Sequence, residues 1–293
     1  MTLSLSTRWM GSQRFGAGQL LSRLKQSGLR QAALLTGNPH PDADELLRVL
    51  KPAGARVQAV LTRTPAAGSG LVSPDADERA RALEVAFAAI RVARTLGTRH
   101  VVLDPGCLQM ERTRERQDEL WAALRKEGPS ERVLKEAASV SREVERRIGP
   151  CLEPACRTLF ELCRTEREIC FSVRTPGSLF GFPSFRAMPL LLDELREPNF
   201  GYWHDVGAAH LQEVLGVAPL NGWGGENAAR CRGANLHDVV GTEIHLPPGA
   251  GEVDFGAVRD ALPGGAVCVL DIDSRFNAKE VLLAVSFLEG RGF

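Results

Sequence analysis

Carboxylates and imidazoles recur where short apolar runs end in the C-terminal half of this chain. His204 and Asp205 close one run, Asn235, His237 and Asp238 another, and Asp271 and Asp273 a third, while Glu243 and His245 follow the second at close spacing. Two earlier runs end in Asp104 and in the pair Ser172 and Arg174. Carboxylate oxygens and neutral imidazoles are ligands for divalent cations, and both groups shuttle protons. If Asp104, Asp205 and Asp271 gather at one place, their mutual repulsion demands a cation or a set of hydrogen-bond donors. A carboxylate at a strand end also caps the next helix or pairs with an arginine, so no one of them defines a site.

The elements that must position these groups alternate between short β-rich and longer helical segments. Strands are expected at 3–6, 32–36, 56–61, 100–104, 168–173, 200–204, 234–237 and 266–272. Helices are expected at 18–27, 42–50, 77–96, 153–165, 183–195, 206–215, 255–261 and 278–289, with the charge-rich stretch 112–147 also helical and broken at Gly128-Pro129. Runs such as Val101-Val-Leu103 and Val267-Cys-Val-Leu270 are continuously apolar, as in a parallel sheet covered on both faces. Eight strands alternating with helices, with no internal linker, predict one α/β domain spanning 1–293, a single (β/α)8 barrel. The 75–147 region is then elongated third and fourth helices. In such a barrel the polar strand ends share one rim, where chemistry is done. Alternation along the sixth strand turns His204 away from that rim and Asp205 into it.

Composition narrows the function. Lys plus Arg and Asp plus Glu both number 36, so no global field attracts a phosphate backbone and a nucleic-acid partner is not expected. No apolar run reaches membrane-spanning length, and the N-terminus lacks a basic start and apolar block, so a cytoplasmic protein without membrane attachment is expected. The seven cysteines form no Cys-x-x-Cys pair and are expected to be small buried residues, not a disulfide framework or a zinc site.

Three motifs carry a resemblance. They are Gly201-Tyr-Trp-His-Asp-Val-Gly-Ala-Ala-His210, Asn235-Leu-His-Asp238, and His245-Leu-Pro-Pro-Gly-Ala-Gly-Glu-Val-Asp-Phe255. With them the whole chain resembles the xylose-isomerase-like TIM barrels, the superfamily of sugar isomerases, sugar-phosphate epimerases and endonuclease IV. The resemblance implies divalent metals at the carboxyl ends of the strands. This chain departs from the implied ligand set at several places. Ala208 stands where the sixth-strand pattern Asp-x-Gly-His has its histidine, and Asn235 replaces the histidine of His-x-x-Asp on the seventh. Ser172 stands for the bridging glutamate of the fifth strand, Asp271 for a glutamate on the eighth, and Asp104 for a histidine before Pro-Gly on the fourth. The loop pair Asp-x-His is Glu243-Ile-His245 here.

Alanine cannot ligate, and a site that loses several ligands loses its affinity. Asp205, Glu243, His245 and Asp271 remain as a possible weak, oxygen-rich site for magnesium or manganese. The alternative is a metal-free network of the same residues with Arg174 and His237. In that case Asp205→Asn would relieve crowding with Asp271. Trp223, in the loop Gly222-Trp-Gly-Gly225, either closes over a sugar ring or plugs the loop against the body. The ligand pocket is therefore expected among Asp104, Ser172, Arg174, Asp205, Asn235, His237, Glu243, His245, Asp271 and Trp223. The function expected is a diverged barrel with an eroded metal site that binds a sugar-like molecule or a protein partner without catalysis. The alternative is a divalent-metal-dependent sugar or sugar-phosphate isomerase or epimerase.

Overall fold

The computed structural model describes residues 1–36, 40–63 and 70–293. In chain order the elements are β1 (Thr2–Ser6), α1 (Ala17–Gln26), β2 (Gln31–Leu35), α2 (Ala43–Leu50), β3 (Arg56–Leu61), α3 (Ala76–Leu96) and β4 (His100–Leu103). There follow α4 (Thr113–Glu127), α5 (Glu131–Arg147), α6 (Gly149–Thr165), β5 (Cys170–Arg174), α7 (Ala187–Glu194), β6 (Phe200–Asp205) and α8 (Val206–Val214). The chain ends with β7 (Cys231–Leu236), β8 (Asp238–Val240), β9 (Glu243–Leu246), α9 (Phe255–Ala261), β10 (Val267–Leu270) and α10 (Ala278–Glu289). Eight strands close a parallel barrel in the order β1-β10-β7-β6-β5-β4-β3-β2, as the alternation of elements predicts. Closure is made by β1, which pairs Leu5 with Leu270 on one side and with Ala32 on the other.

The stretch between β4 and β5 holds three helices, with the break at Gly128-Pro129 that the sequence indicates. Gly128 ends α4 with a positive φ, and the Ser130 side chain caps α5 by accepting from Val133 N–H at 3.3 Å. The segment after β7 is a small antiparallel hairpin, β8–β9, which the continuous loop expected from the sequence did not include.

Alternation along each strand divides the core in two. Side chains pointing outward, such as Leu3, Leu5, Phe171, Val173, Phe200 and Tyr202, join the large cluster under the helices. Those pointing inward, Ala33, Leu35, Ala59, Leu61, Val102, Trp203 and Val269, fill the barrel. Trp203 is the one large ring among small neighbours. A Cβ on Gly233 would lie 2.4 Å from its indole, so the glycine is required by close approach and the ring by the space. Trp203 is fully buried, and its Nε1–H donates to Asn235 Oδ1 at 2.9 Å.

The loops at the carboxyl end are tied to one another. Cys107 bridges Gly181, Leu108 N–H donates to Phe180 O at 2.8 Å, and Phe182 N–H donates to Gly106 O at 2.9 Å. The Phe-rich loop after β5 thereby lies against the β4 loop with Phe180 and Phe182 buried. All seven cysteines are free thiols, and burial pushes the Cys163 thiol up to about 12, an inert side chain. Among the described residues no helix is long and apolar enough to cross a membrane.

The barrel centre makes a specific demand on Trp203. Trp203→Ala should cost about 3–5 kcal/mol through lost burial and a cavity. Trp203→Phe should cost about 1–3 kcal/mol, because the buried Asn235 carbonyl loses its donor. Denaturant unfolding of both variants measures these losses. A Phe variant as stable as wild type would remove the indole hydrogen bond from the account.

Candidate functional site

Each inward-facing strand end delivers a polar group to the same rim. Two residues beyond Ser172, β5 presents Arg174, and two beyond Trp203, β6 presents Asp205. Asn235 pairs with Asp205 in the sheet register and His237 follows β7, while Asp271 follows β10 and Asp104 follows β4. A short 3-10 turn after β1, Thr7–Met10, adds Arg8, and the Ser6 hydroxyl accepts from Arg8 N–H at 3.1 Å.

These groups form a continuous hydrogen-bonded relay. Asn235 accepts from the indole through Oδ1 and donates through Nδ2 to Asp205 Oδ2 at 3.2 Å. A donor-only indole and an acceptor-only carboxylate leave one orientation for that amide. Asp205 Oδ1 accepts from His237 Nε2 at 3.0 Å and from Ala208 N–H at 3.1 Å, which makes it the N-cap of α8. His237 Nδ1 accepts from His245 N–H at 3.0 Å, so the ring donates from Nε2. His245 Nδ1 in turn lies 3.0 Å from the Asp271 carbonyl and 3.4 Å from its carboxylate. Gly207 belongs to this arrangement, since a Cβ there would lie 2.0 Å from the His237 ring.

Two arginines neutralise the carboxylates. Arg174 Nη2 lies 3.0 Å from Asp104 Oδ2 and Nη1 lies 3.9 Å from Asp205 Oδ2. Arg8 Nε donates to Asp271 Oδ1 at 3.0 Å. Burial opposes ionisation of Asp205, but the His237 hydrogen bond and the Arg174 charge outweigh it and hold the carboxyl far below its usual range. Asp271, likewise opposed by burial and favoured by Arg8, is lowered to about 2. Burial, aided by His237 and Arg8, pushes His245 down to about 3, so its imidazole is neutral. Arg63 lines a cavity with Thr62 and Asp104, and burial together with Arg8 and Arg174 lowers its pKa.

Asp238 does different work. Its Oδ1 accepts from Val239 and Val253 N–H at 2.9 and 3.0 Å, and its Oδ2 from Gly249 and Gly251 N–H at 2.9 Å each. The Pro-Pro-Gly-Ala-Gly turn is thus folded around one carboxylate. A Cβ on Gly251 would lie 2.3 Å from Val239 O, which explains the second glycine.

The rim holds Asp104, Arg174, Asp205, Asn235, His237, His245 and Asp271, as the sequence indicates. Other candidates lie elsewhere. Glu243 pairs with Arg275 at 2.5 Å and is half exposed. Trp223 is fully buried against Phe185, with ring centroids 5.5 Å apart, so it plugs its loop and does not cover a pocket. Ser172 is 1 % exposed and its hydroxyl has no hydrogen-bond partner. His204 is buried away from the rim, and burial lowers it to about 4. Arg8, Arg63 and Trp203 were not singled out from the sequence. The parity Gly201, Trp203, Asp205 along one strand face was the signal for the last of them.

His237, His245 and Asp271 each offer one ligand atom, all within 4.8 Å of one another; Asp205 and Glu243 fall outside that group. Both nitrogens of His237 are engaged, one as donor and one as acceptor, leaving it no lone pair. One Asp271 oxygen is held by Arg8 and the other lies beside His245 Nδ1. His245 Nε2 is the ring nitrogen of this group that these bonds leave available.

The family profile of the xylose isomerase-like TIM barrels matches residues 21–271, and the chain belongs to that family. A search of curated proteins finds no match. Among solved structures, a candidate xylose isomerase from Rhodospirillum rubrum superposes with TM-score 0.72 at 14 % identity, covering 99 % of each chain. The D-psicose 3-epimerase of Clostridium cellulolyticum H10, solved with D-tagatose, gives 0.70 at 11 % identity and 99 % of each chain. The IOLI protein, solved with a zinc atom, gives 0.68 at 13 % identity, covering 99 % of this chain and 96 % of that one. At these identities the likeness is one of fold.

Two consequences follow for stability. Asp205→Asn should destabilise the protein by about 3 kcal/mol, since an amide would turn a donor toward donors; the relief of crowding expected from the sequence is outweighed. His204 and His245 are both depressed on folding, so their contribution is complete above the ordinary histidine value and is lost as pH falls below it. Each should cost about 2 kcal/mol by pH 5. Thermal melts between pH 7.5 and 5 should fall steeply in wild type and less in His204→Gln/His245→Asn. Equal slopes would contradict the assignment.

Proposed function

We propose that the carboxyl-terminal mouth of this barrel binds a small polyhydroxylated, sugar-like molecule without a divalent metal and without isomerase or epimerase turnover. The observation that carries this reading is the engagement of His237 at both nitrogens, with Arg174 placed between Asp104 and Asp205. In a metal-dependent isomerase the ion polarises the sugar oxygens. Here the groups at that place are a guanidinium and carboxylates, which suit hydroxyl recognition: carboxylates accept from hydroxyls, and the arginine fork donates to them. The neutral His245 adds Nε2 as an acceptor. The solved D-psicose 3-epimerase with D-tagatose supports a sugar as the ligand class.

A metal-dependent isomerase or epimerase is the second reading. It is favoured by the proximity of His237, His245 and Asp271. It requires the His245 N–H to release His237 Nδ1.

Metal analysis and ligand-induced melting shifts separate the two. Protein purified without chelator should carry well under one metal per chain. Members of a panel of ketoses, aldoses and their phosphates should raise the melting temperature without added metal, and Asp104→Asn should weaken that binding about tenfold, as loss of one charge-assisted hydrogen bond would. Stoichiometric metal surviving gel filtration, with turnover in magnesium or manganese that His245→Ala abolishes, would establish the second reading instead.

A further inference from the structure

We propose that Arg174 is a resident cation: its guanidinium satisfies the strand-end carboxylates of β4 and β6 in place of a divalent ion, and removing its charge uncovers a divalent-cation site. This rests on the metal-free reading of the mouth.

The geometry supports a substitution of one cation for another. Asp104 and Asp205 come from different strands, and both face the same guanidinium, at 3.0 and 3.9 Å. The Asp205 side chain is buried, and Asp104 and Arg174 are mostly covered. Two carboxylates in such a place cannot both stay ionised without a nearby positive charge. Asp205 does stay ionised, with Arg174 among the causes. A second observation lies on the same strand face. On the inward face of β5, two residues before Arg174, the Ser172 hydroxyl is buried and has no hydrogen-bond partner. Carboxylate and hydroxyl oxygens are hard donors, suited to magnesium or manganese. His237 plays no part in the site uncovered, since its nitrogens remain engaged.

The test titrates chelator-treated protein with Mn²⁺ by calorimetry, with bound metal counted after gel filtration. Wild type should bind no stoichiometric Mn²⁺. Arg174→Gln should bind one ion per chain, about 100-fold or more tighter than wild type, because the cation facing the two carboxylates is gone. Arg174→Lys keeps the charge and should remain as indifferent as wild type. Arg174→Gln/Asp104→Asn should lose the gained affinity. If Arg174→Gln melts without cooperativity in chelator, Mn²⁺ should restore a cooperative melt; failure to restore it overturns the proposal. A folded Arg174→Gln that binds no better than wild type also overturns it, and leaves the metal-free reading standing. A lysine variant that binds like the glutamine variant shows that charge is not the cause, and overturns it too. Tight stoichiometric Mn²⁺ in wild type overturns both readings at once.

Discussion

One buried carboxylate holds the mouth of this barrel together. Asp205 accepts from the His237 ring, from the Asn235 amide and from the backbone of α8, and it faces Arg174. It thereby joins β5, β6, β7 and α8 at a single atom group. A charge in that position is tolerated because three donors bond it and a cation stands near. The arrangement extends downward through Asn235 to the indole of Trp203, and outward through His237 to the backbone of His245. The centre of the barrel and its rim are thus one polar system, so neither end can be altered alone.

Seen from this network, Asn235 is not a failed ligand. It bridges a donor and an acceptor, taking the indole N–H on its carbonyl and giving its amide N–H to the Asp205 carboxylate. Ala208 is small where α8 begins and receives its stabilisation through its own N–H, donated to Asp205. Arg8 serves Asp271 as Arg174 serves Asp104. Cationic side chains here accompany the carboxylates. Such pairs hold position more than they add stability, because desolvation offsets much of their attraction.

Much of this was legible in the residues. Continuous apolar runs ending in polar side chains gave eight strands and one rim, because a parallel barrel forces that pattern. Asp205, Asn235, His237, His245 and Asp271 were found by reading strand ends. What escaped was direction. Glu243 lies in the β8–β9 hairpin and turns to Arg275, a hairpin that a short polar stretch does not announce. Trp223 was ambiguous because an aromatic in a glycine-rich loop fits a cover and a plug equally; its full burial decides for the plug. Trp203 sits inside the motif that ends in Asp205, and its parity with that aspartate places it inside the barrel. Arg8 lies beyond the end of β1, in a turn whose side-chain directions follow no strand alternation.

Asp238 fixes more than a turn. Its carboxylate gathers N–H groups from Val239, Gly249, Gly251 and Val253, so the contour length between them is set. One residue added between Gly249 and Val253 would displace at least one donor, and a residue removed would do the same. That loop is therefore a poor place for insertions, whatever the ligand. Lengthening and shortening during divergence, and grafted loops in engineering, are better accommodated where no single side chain measures out the backbone.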